Sequence, residues 1–265
     1  MNRVFLLALS FLFFNCNQEK PTKPNFISFK LEKDSIKVIA KNYYLFPIHF
    51  KIENLNTDSI QVVNTREKSE TEILALPSNQ FDSIKILNTF KFKGEYGIYN
   101  LKDYDSNYNY ALPFKDGYTS ELIQGYTSDF THKGAYSQYS LDFGMAIGDT
   151  ITASRGGRVV RVEVSHNMQG DTVEFNKYGN YIMVYHTDGT FSQYVHLKQN
   201  GNLVALGDSV AQGQPIALSG FTGWTTMPHL HLAVYKPGKN GLESIKIIMD
   251  SVPAERFKIW QKFKQ

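Results

Sequence analysis

Met227-Pro228-His229-Leu230-His231-Leu232-Ala233-Val234 alternates along its length like a half-buried strand. Successive side chains of a strand point to opposite faces. Both imidazoles therefore share one face, about 7 Å apart, and the leucines take the other. Two histidines on one sheet face suit a shallow metal site, where one holds a metal while the other moves a proton beside it. Two half-exposed structural histidines would leave the same pattern, so the surrounding sequence has to separate the readings.

Upstream, the chain from Leu112 onward is glycine-rich and holds every histidine except His49. Arg158 to Val164 alternates, with Val160, Val162 and Val164 on one face and Arg161 and Glu163 on the other. Tyr181–Tyr185, Phe191–Leu197 and Pro215–Leu218 read as further strands, many of them separated by Gly-Asp, Asp-Gly or Asn-Gly turns. From Phe26 to about Asn100 come shorter alternating segments such as Ser35–Ala40, Phe50–Glu53 and Ser83–Leu87, a spacing that suggests a small antiparallel sandwich. The expectation is an all-β protein. A β-sandwich-like domain covers 26–103, and a Tyr- and Asn-rich linker covers 104–111. An antiparallel β-sheet domain with a groove covers 112–250, and a tail covers 251–265. Within that last stretch only Ala254–Phe263 has a helical look.

The ends and the composition bound the rest. The net charge of +3 over 265 residues gives no case for nucleic-acid binding. Arg3 followed by the apolar run Val4–Phe14 reads as a secretory leader over 1–15, too short for a lasting membrane span. Cys16, the single cysteine, follows directly and resembles the lipid-accepting cysteine of a bacterial lipobox, although Asn15 is an unusual residue before it. Residues 16–25 then form a tether. The alternative is ordinary secretion with cleavage nearby. Both readings export the protein to the cell envelope, and the first anchors it to a membrane through Cys16. With no disulfide possible, the core holds the fold, helped by any metal.

Three clusters bear on chemistry: His132 followed by Leu141-Asp142-Phe143-Gly144, Tyr194-Val195-His196-Leu197, and Pro228-His229-Leu230-His231. His132, Asp142 and one histidine of the last cluster would make a His-Asp-His zinc site. Such a site leaves a fourth position for water, as catalytic sites do. Zinc would bring that water's pKa toward about 7 and polarise a carbonyl. His196 and the second strand histidine would serve as proton acceptor and transition-state stabiliser.

In order along Leu112–Val234, about half the chain, these landmarks resemble the lysostaphin or LytM-like zinc endopeptidases. They are His132-x-Gly134, Asp142, Gly179-Asn180-Tyr181, Tyr194-x-His196-Leu197, Gly213–Ile216, Thr222-Gly223 and Pro228-His229-Leu230-His231. The resemblance implies one zinc ion on His132, Asp142 and His231, catalytic roles for His196 and His229, and a peptidoglycan peptide as substrate. It departs from the commoner pattern in two places. Lys133–Leu141 separate the first histidine from the aspartate, and Met227 stands where a small residue is more usual. Asp149, the nearest competitor to Asp142, sits in a Gly-Asp turn and reads as a turn residue. His49 reads as structural, His166 and His186 as surface histidines.

Two other functions compete. A catalytically inactive LytM-like domain could bind and activate a cell-wall hydrolase, but such domains usually lose a ligand and none is lost here. A D-Ala-D-Ala carboxypeptidase would need a glutamate base three residues before its last histidine ligand, where this chain has Pro228 or Thr226.

Overall fold

The computed structural model describes residues 4–5, 26–128 and 131–265, so Cys16, the tether and nearly all of the expected leader lie outside the described residues. The chain divides into two compact units, Met1–Tyr99 and Asn100–Gln265.

The first unit holds two antiparallel sheets. Ile27–Leu31, Ser35–Asn42 and Ser69–Pro77 form one, with Val4–Phe5 at its edge; Ile60–Thr65, Ile48–Asn54 and Phe90–Tyr96 form the other. Val38, Ala40, Phe46, Ile48 and Phe50 are buried in its core. Ser83–Thr89, expected as a strand, is a helix. The Asp82 carboxylate accepts the Lys85 N–H at 2.7 Å and caps its first turn, a bond no strand would offer. Ile86 is buried while Ile84 stays 66% exposed, a split that a two-residue period would not give. His49 is buried and structural. Its Nδ1 lies 3.0 Å from the Gly97 carbonyl and its Nε2 3.2 Å from Glu95.

The second unit is built on a nine-stranded antiparallel sheet. Its centre runs Gly157–Glu163, Tyr181–Tyr185, Phe191–Val195, His229–Gly238, Ser140–Gly144, Thr119–Gln124. The alternation read from the sequence separates two faces but not exposure, since His229 and Asp142 are buried as well. Leu230, Leu232 and Val234 join Leu141, Phe143, Ile182, Val184 and Tyr194 in a continuous core. Each large apolar side chain so buried contributes roughly 1.5–3 kcal/mol. His229, His231 and Asp142 fall on the opposite face. Gly157–Glu163 departs from the expected alternation, because a bulge between Val159 and Arg161 shifts the register: Val159 joins Val162 and Val164 at the core, while Val160 is buried outside that cluster.

Three expectations need correction here. Residues 104–111 are not a free linker: Asn109–Tyr110 pairs with Ile248–Met249, and Tyr110 is buried. The Arg155 guanidinium lies 3.9 Å from the centre of the Tyr108 ring and donates to the Tyr110 hydroxyl at 3.1 Å. The tyrosines that gave the stretch a linker's composition are packed side chains. Residues 251–265 are likewise part of the fold, since Lys262–Lys264 extends the main sheet along Thr119–Glu121 and buries Phe263. Ala254–Arg256 is a single 3-10 turn rather than the start of a helix. Finally, Phe191–Leu197 is not one strand. It breaks at His196, whose φ of 65° turns the chain from the main sheet into a three-stranded sheet through Leu197–Asn202. Among the described residues no helix is long and apolar enough to cross a membrane.

Candidate metal centre

Register brings the first two groups together. Asp142 and His231 are direct partners across adjacent antiparallel strands, so their side chains leave the same face side by side. His231 Nδ1 lies 2.8 Å from Asp142 Oδ1. His132 arrives from the segment before the short Gly134–Ser137 helix, and its Nε2 lies 3.2 Å from the same oxygen. The ten-residue separation from Asp142 is spanned by that helix and the turn after it. One donor atom from each of His132, Asp142 and His231 falls within 4.8 Å of the other two, a group that could hold a metal ion. Two imidazole nitrogens and a carboxylate oxygen fit a small divalent cation bound at about 2.0–2.2 Å.

The other two histidines close the constellation. His229 Nε2 stands 3.7 Å from Asp142 Oδ2. The His196 ring centre lies 4.5 Å from that of His229 and 6.1 Å from that of His231. Backbone carbonyls fix three of the four rings. His132 Nδ1 donates to Gly125 O at 2.7 Å, His196 Nδ1 to Thr222 O at 2.7 Å, and His229 Nδ1 to Met227 O at 2.9 Å. A carbonyl only accepts, so in each neutral ring the proton sits on Nδ1 and Nε2 carries a bare lone pair.

Electrostatics follow from burial and this crowding. Burial opposes ionisation of Asp142, yet the charge of His229 and His231 and hydrogen bonds from His132 and His231 hold its carboxyl well below the usual range. Burial also disfavours a charged His132, but its Asp142 contact more than compensates and raises it. His231 is lowered, chiefly by burial. His196 is pushed down to about 3 by burial and by the neighbouring His229 and His231, so its ring stays neutral, with the Nε2 lone pair unprotonated, at any physiological pH.

Two flanks complete the site. On one, Tyr136 of the short helix stacks on Tyr235 at 4.6 Å, and both hydroxyls donate to Gln193 Oε1 at 3.1 Å. On the other, segment 222–227 is tied to loop 165–178 by Gly223 N–H to Met168 O, Thr225 N–H to Gly170 O and Trp224 Nε1 to Asp171 O. The remaining histidines stand apart. His166 is half-buried beside Tyr178. His186, expected at the surface, is fully buried: Nδ1 donates to Gly156 O at 2.8 Å and Nε2 pairs with the Ser192 hydroxyl at 2.7 Å. Asp149 is a turn residue, its carboxylate accepting the Ala146 N–H at 2.9 Å. Sequence reading missed the carbonyls of Gly125, Thr222 and Met227, because every residue has one and only the fold aims it.

A two-histidine, one-carboxylate donor set on a sheet face, with two further imidazoles beside it, is an arrangement that metal-dependent hydrolytic centres can use. Residues 136–242 match the family described as Peptidase family M23, and this segment is an M23 peptidase domain. The match begins after His132, so that the geometry and the sequence landmark, not the family match, bring this residue to the site. The peptidoglycan DD-endopeptidase ShyA of Vibrio cholerae is 34% identical over 114 residues, covering 42% of this chain and 24% of that protein. Lysostaphin of Staphylococcus staphylolyticus is 39% identical over 94 residues, covering 35% of this chain and 17% of that protein. The matched stretch thus spans a quarter or less of these curated relatives. Among solved structures, the catalytic domain of lysostaphin from Staphylococcus simulans is 26% identical, covers 48% of this chain and 87% of that domain, and superposes with a TM-score of 0.34.

Proposed function

We propose that the second unit is a zinc-dependent endopeptidase that hydrolyses peptide bonds in peptidoglycan. The observation that carries this reading is the convergence of His132, Asp142 and His231 on one point, with the bare Nε2 atoms of His196 and His229 beside it. The name of the peptidoglycan DD-endopeptidase relative supports the substrate class. His132, Asp142 and His231 are the ligands, and zinc bound there supplies Lewis-acid activation of water and of the scissile carbonyl. His196 and His229 handle the proton. The neutral imidazole that accepts it from the attacking water becomes a donor at Nε2. It can then stabilise the developing oxyanion or return the proton to the leaving amine. Export to the cell envelope and a lipid anchor at Cys16 complete the proposal.

The test is digestion of defined peptidoglycan fragments by the purified protein, with and without chelator, read by mass spectrometry. Chelator-sensitive cleavage of a peptide bond is the expected result. A stoichiometrically zinc-loaded protein that cuts no fragment would overturn the enzymatic reading and favour a domain that binds and activates another hydrolase.

A further inference from the structure

His196, like His132, is a histidine of the centre that no regular strand positions. It stands between two strands of different sheets with φ at 65°, a region open to histidine but uncommon for it. Its ring direction is therefore set by how the chain continues into Leu197 and by the carbonyl that receives Nδ1–H. Both are held by two buried polar residues, Asn180 and Thr222. Asn180 O accepts the Leu197 N–H at 3.2 Å, and Asn180 Nδ2 donates to Leu197 O at 3.2 Å. Thr222 Oγ1 donates to the same Leu197 O at 2.9 Å and accepts the Asn180 N–H at 3.1 Å. Thr222 O is the acceptor for His196 Nδ1. Asn180 also clasps loop 165–178 near its start, accepting His166 N–H at 3.0 Å and donating to His166 O at 2.8 Å.

We infer that Thr222 and Asn180 are positioning residues that fix the ring orientation and tautomer of His196, an inference whose kinetic part rests on the proton-handling role proposed for that histidine. The Thr222 hydroxyl links the residue after His196 to the residue that accepts its ring proton, so removing it frees both ends of the ring's support. A hub that served folding alone would lower the melting temperature and leave His196 unchanged in the folded protein.

The test uses the full zinc-loaded chain with Thr222→Val, which keeps the shape and removes the hydroxyl, and Thr222→Ser, which restores it. Thr222→Val should lower kcat on a peptidoglycan fragment by about 10- to 100-fold, with KM and zinc content within about twofold of the parent. Thr222→Ser should recover kcat to within about threefold. Nitrogen-detected NMR of the histidine side chains should show His196 protonated only at Nδ1 in the parent and in Thr222→Ser, and a mixture of tautomers in Thr222→Val. If Thr222→Val does not fold, Asn180→Asp keeps the acceptor for His166 N–H, loses both Nδ2 donors and should repeat both readouts. Parental kcat together with a pure Nδ1–H tautomer in the folded variant would overturn the inference. If the parent cuts no fragment, the proposed activity fails and the tautomer measurement alone decides this one.

Discussion

Acid should destabilise the second unit through His186, a residue with no part in the metal centre. Its neutral ring is fully satisfied, donating from Nδ1 to Gly156 O and pairing at Nε2 with the Ser192 hydroxyl. Burial, with a smaller contribution from the Arg155 charge, pushes its pKa down to about 4 from an unfolded value of 6.5. The unfolded chain therefore takes up this proton at higher pH than the folded one. The stability in question is fully present above about pH 6.5 and is lost as pH falls toward 4. At about 1.36 kcal/mol per unit, the loss between pH 7 and pH 4.5 is about 2 kcal/mol from this group alone. For a unit of this size that corresponds to roughly 4–8 °C in Tm. Other buried carboxylates add their own acid sensitivity, so the assay is a comparison. Urea unfolding is followed from pH 7 to 4.5, with chelator present to remove metal linkage, for the parent and for His186→Gln. The variant is less stable at pH 7, but its stability should fall by about 2 kcal/mol less over the same range. Parallel pH dependences would refute the assignment of a buried neutral His186.

Three further outcomes follow from the geometry. His231→Ala should abolish stoichiometric zinc binding, whereas His229→Ala should keep zinc and lose turnover; metal analysis beside a fragment digest separates the two. Gly223→Ala should cost more than the roughly 1–2 kcal/mol of a left-handed residue, since φ is 84° and a Cβ there would lie 2.6 Å from Gly179 Cα. Activity should fall with it, because Thr222 and Thr225 are displaced, and a thermal melt with a rate assay checks both. Asp82→Ala should remove the helix cap in the first unit and lower stability by about 1 kcal/mol, measured by urea unfolding.

The strand-borne half of the site was legible because a two-residue period maps directly onto a sheet face. His229 and His231 could be put on one face from spacing alone, and the core leucines on the other. Asp142 was placed through its Leu-Asp-Phe-Gly context despite its distance from His132, and the structure supplies the reason, a short helix that returns the chain to the sheet. What was not legible depended on local bonds or on packing. Ile84 and Ile86 fit a two-residue period as well as a helix, and the Asp82 cap tipped the balance. His186 precedes a hairpin turn, where surface exposure is the ordinary expectation. Its burial comes from Gly157, where a Cβ would come within 2.3 Å of Tyr185 O and 3.0 Å of the His186 ring. Tyr108 and Tyr110 read as linker because composition does not show whether a ring is packed.

The two halves of the centre differ in mechanical support, and this orders their vulnerability. Asp142 and His231 are held by paired backbone in the middle of a nine-stranded sheet, so shifting either requires breaking a ladder. His196 and His229 have their rings held by carbonyls on segment 222–227, although the His229 backbone also pairs with Gly144; that segment has few ladder bonds of its own and leans on loop 165–178. Removing that loop's contacts should therefore disturb proton handling before metal binding. Trp224→Phe tests this, since it keeps an aromatic side chain and deletes the bond to Asp171 O. Turnover should drop severalfold while zinc affinity stays within about twofold, because one exposed hydrogen bond contributes at most about 1 kcal/mol. Equal losses of zinc and rate would mean that the sheet and the segment move as one body, and the distinction between the halves would fall.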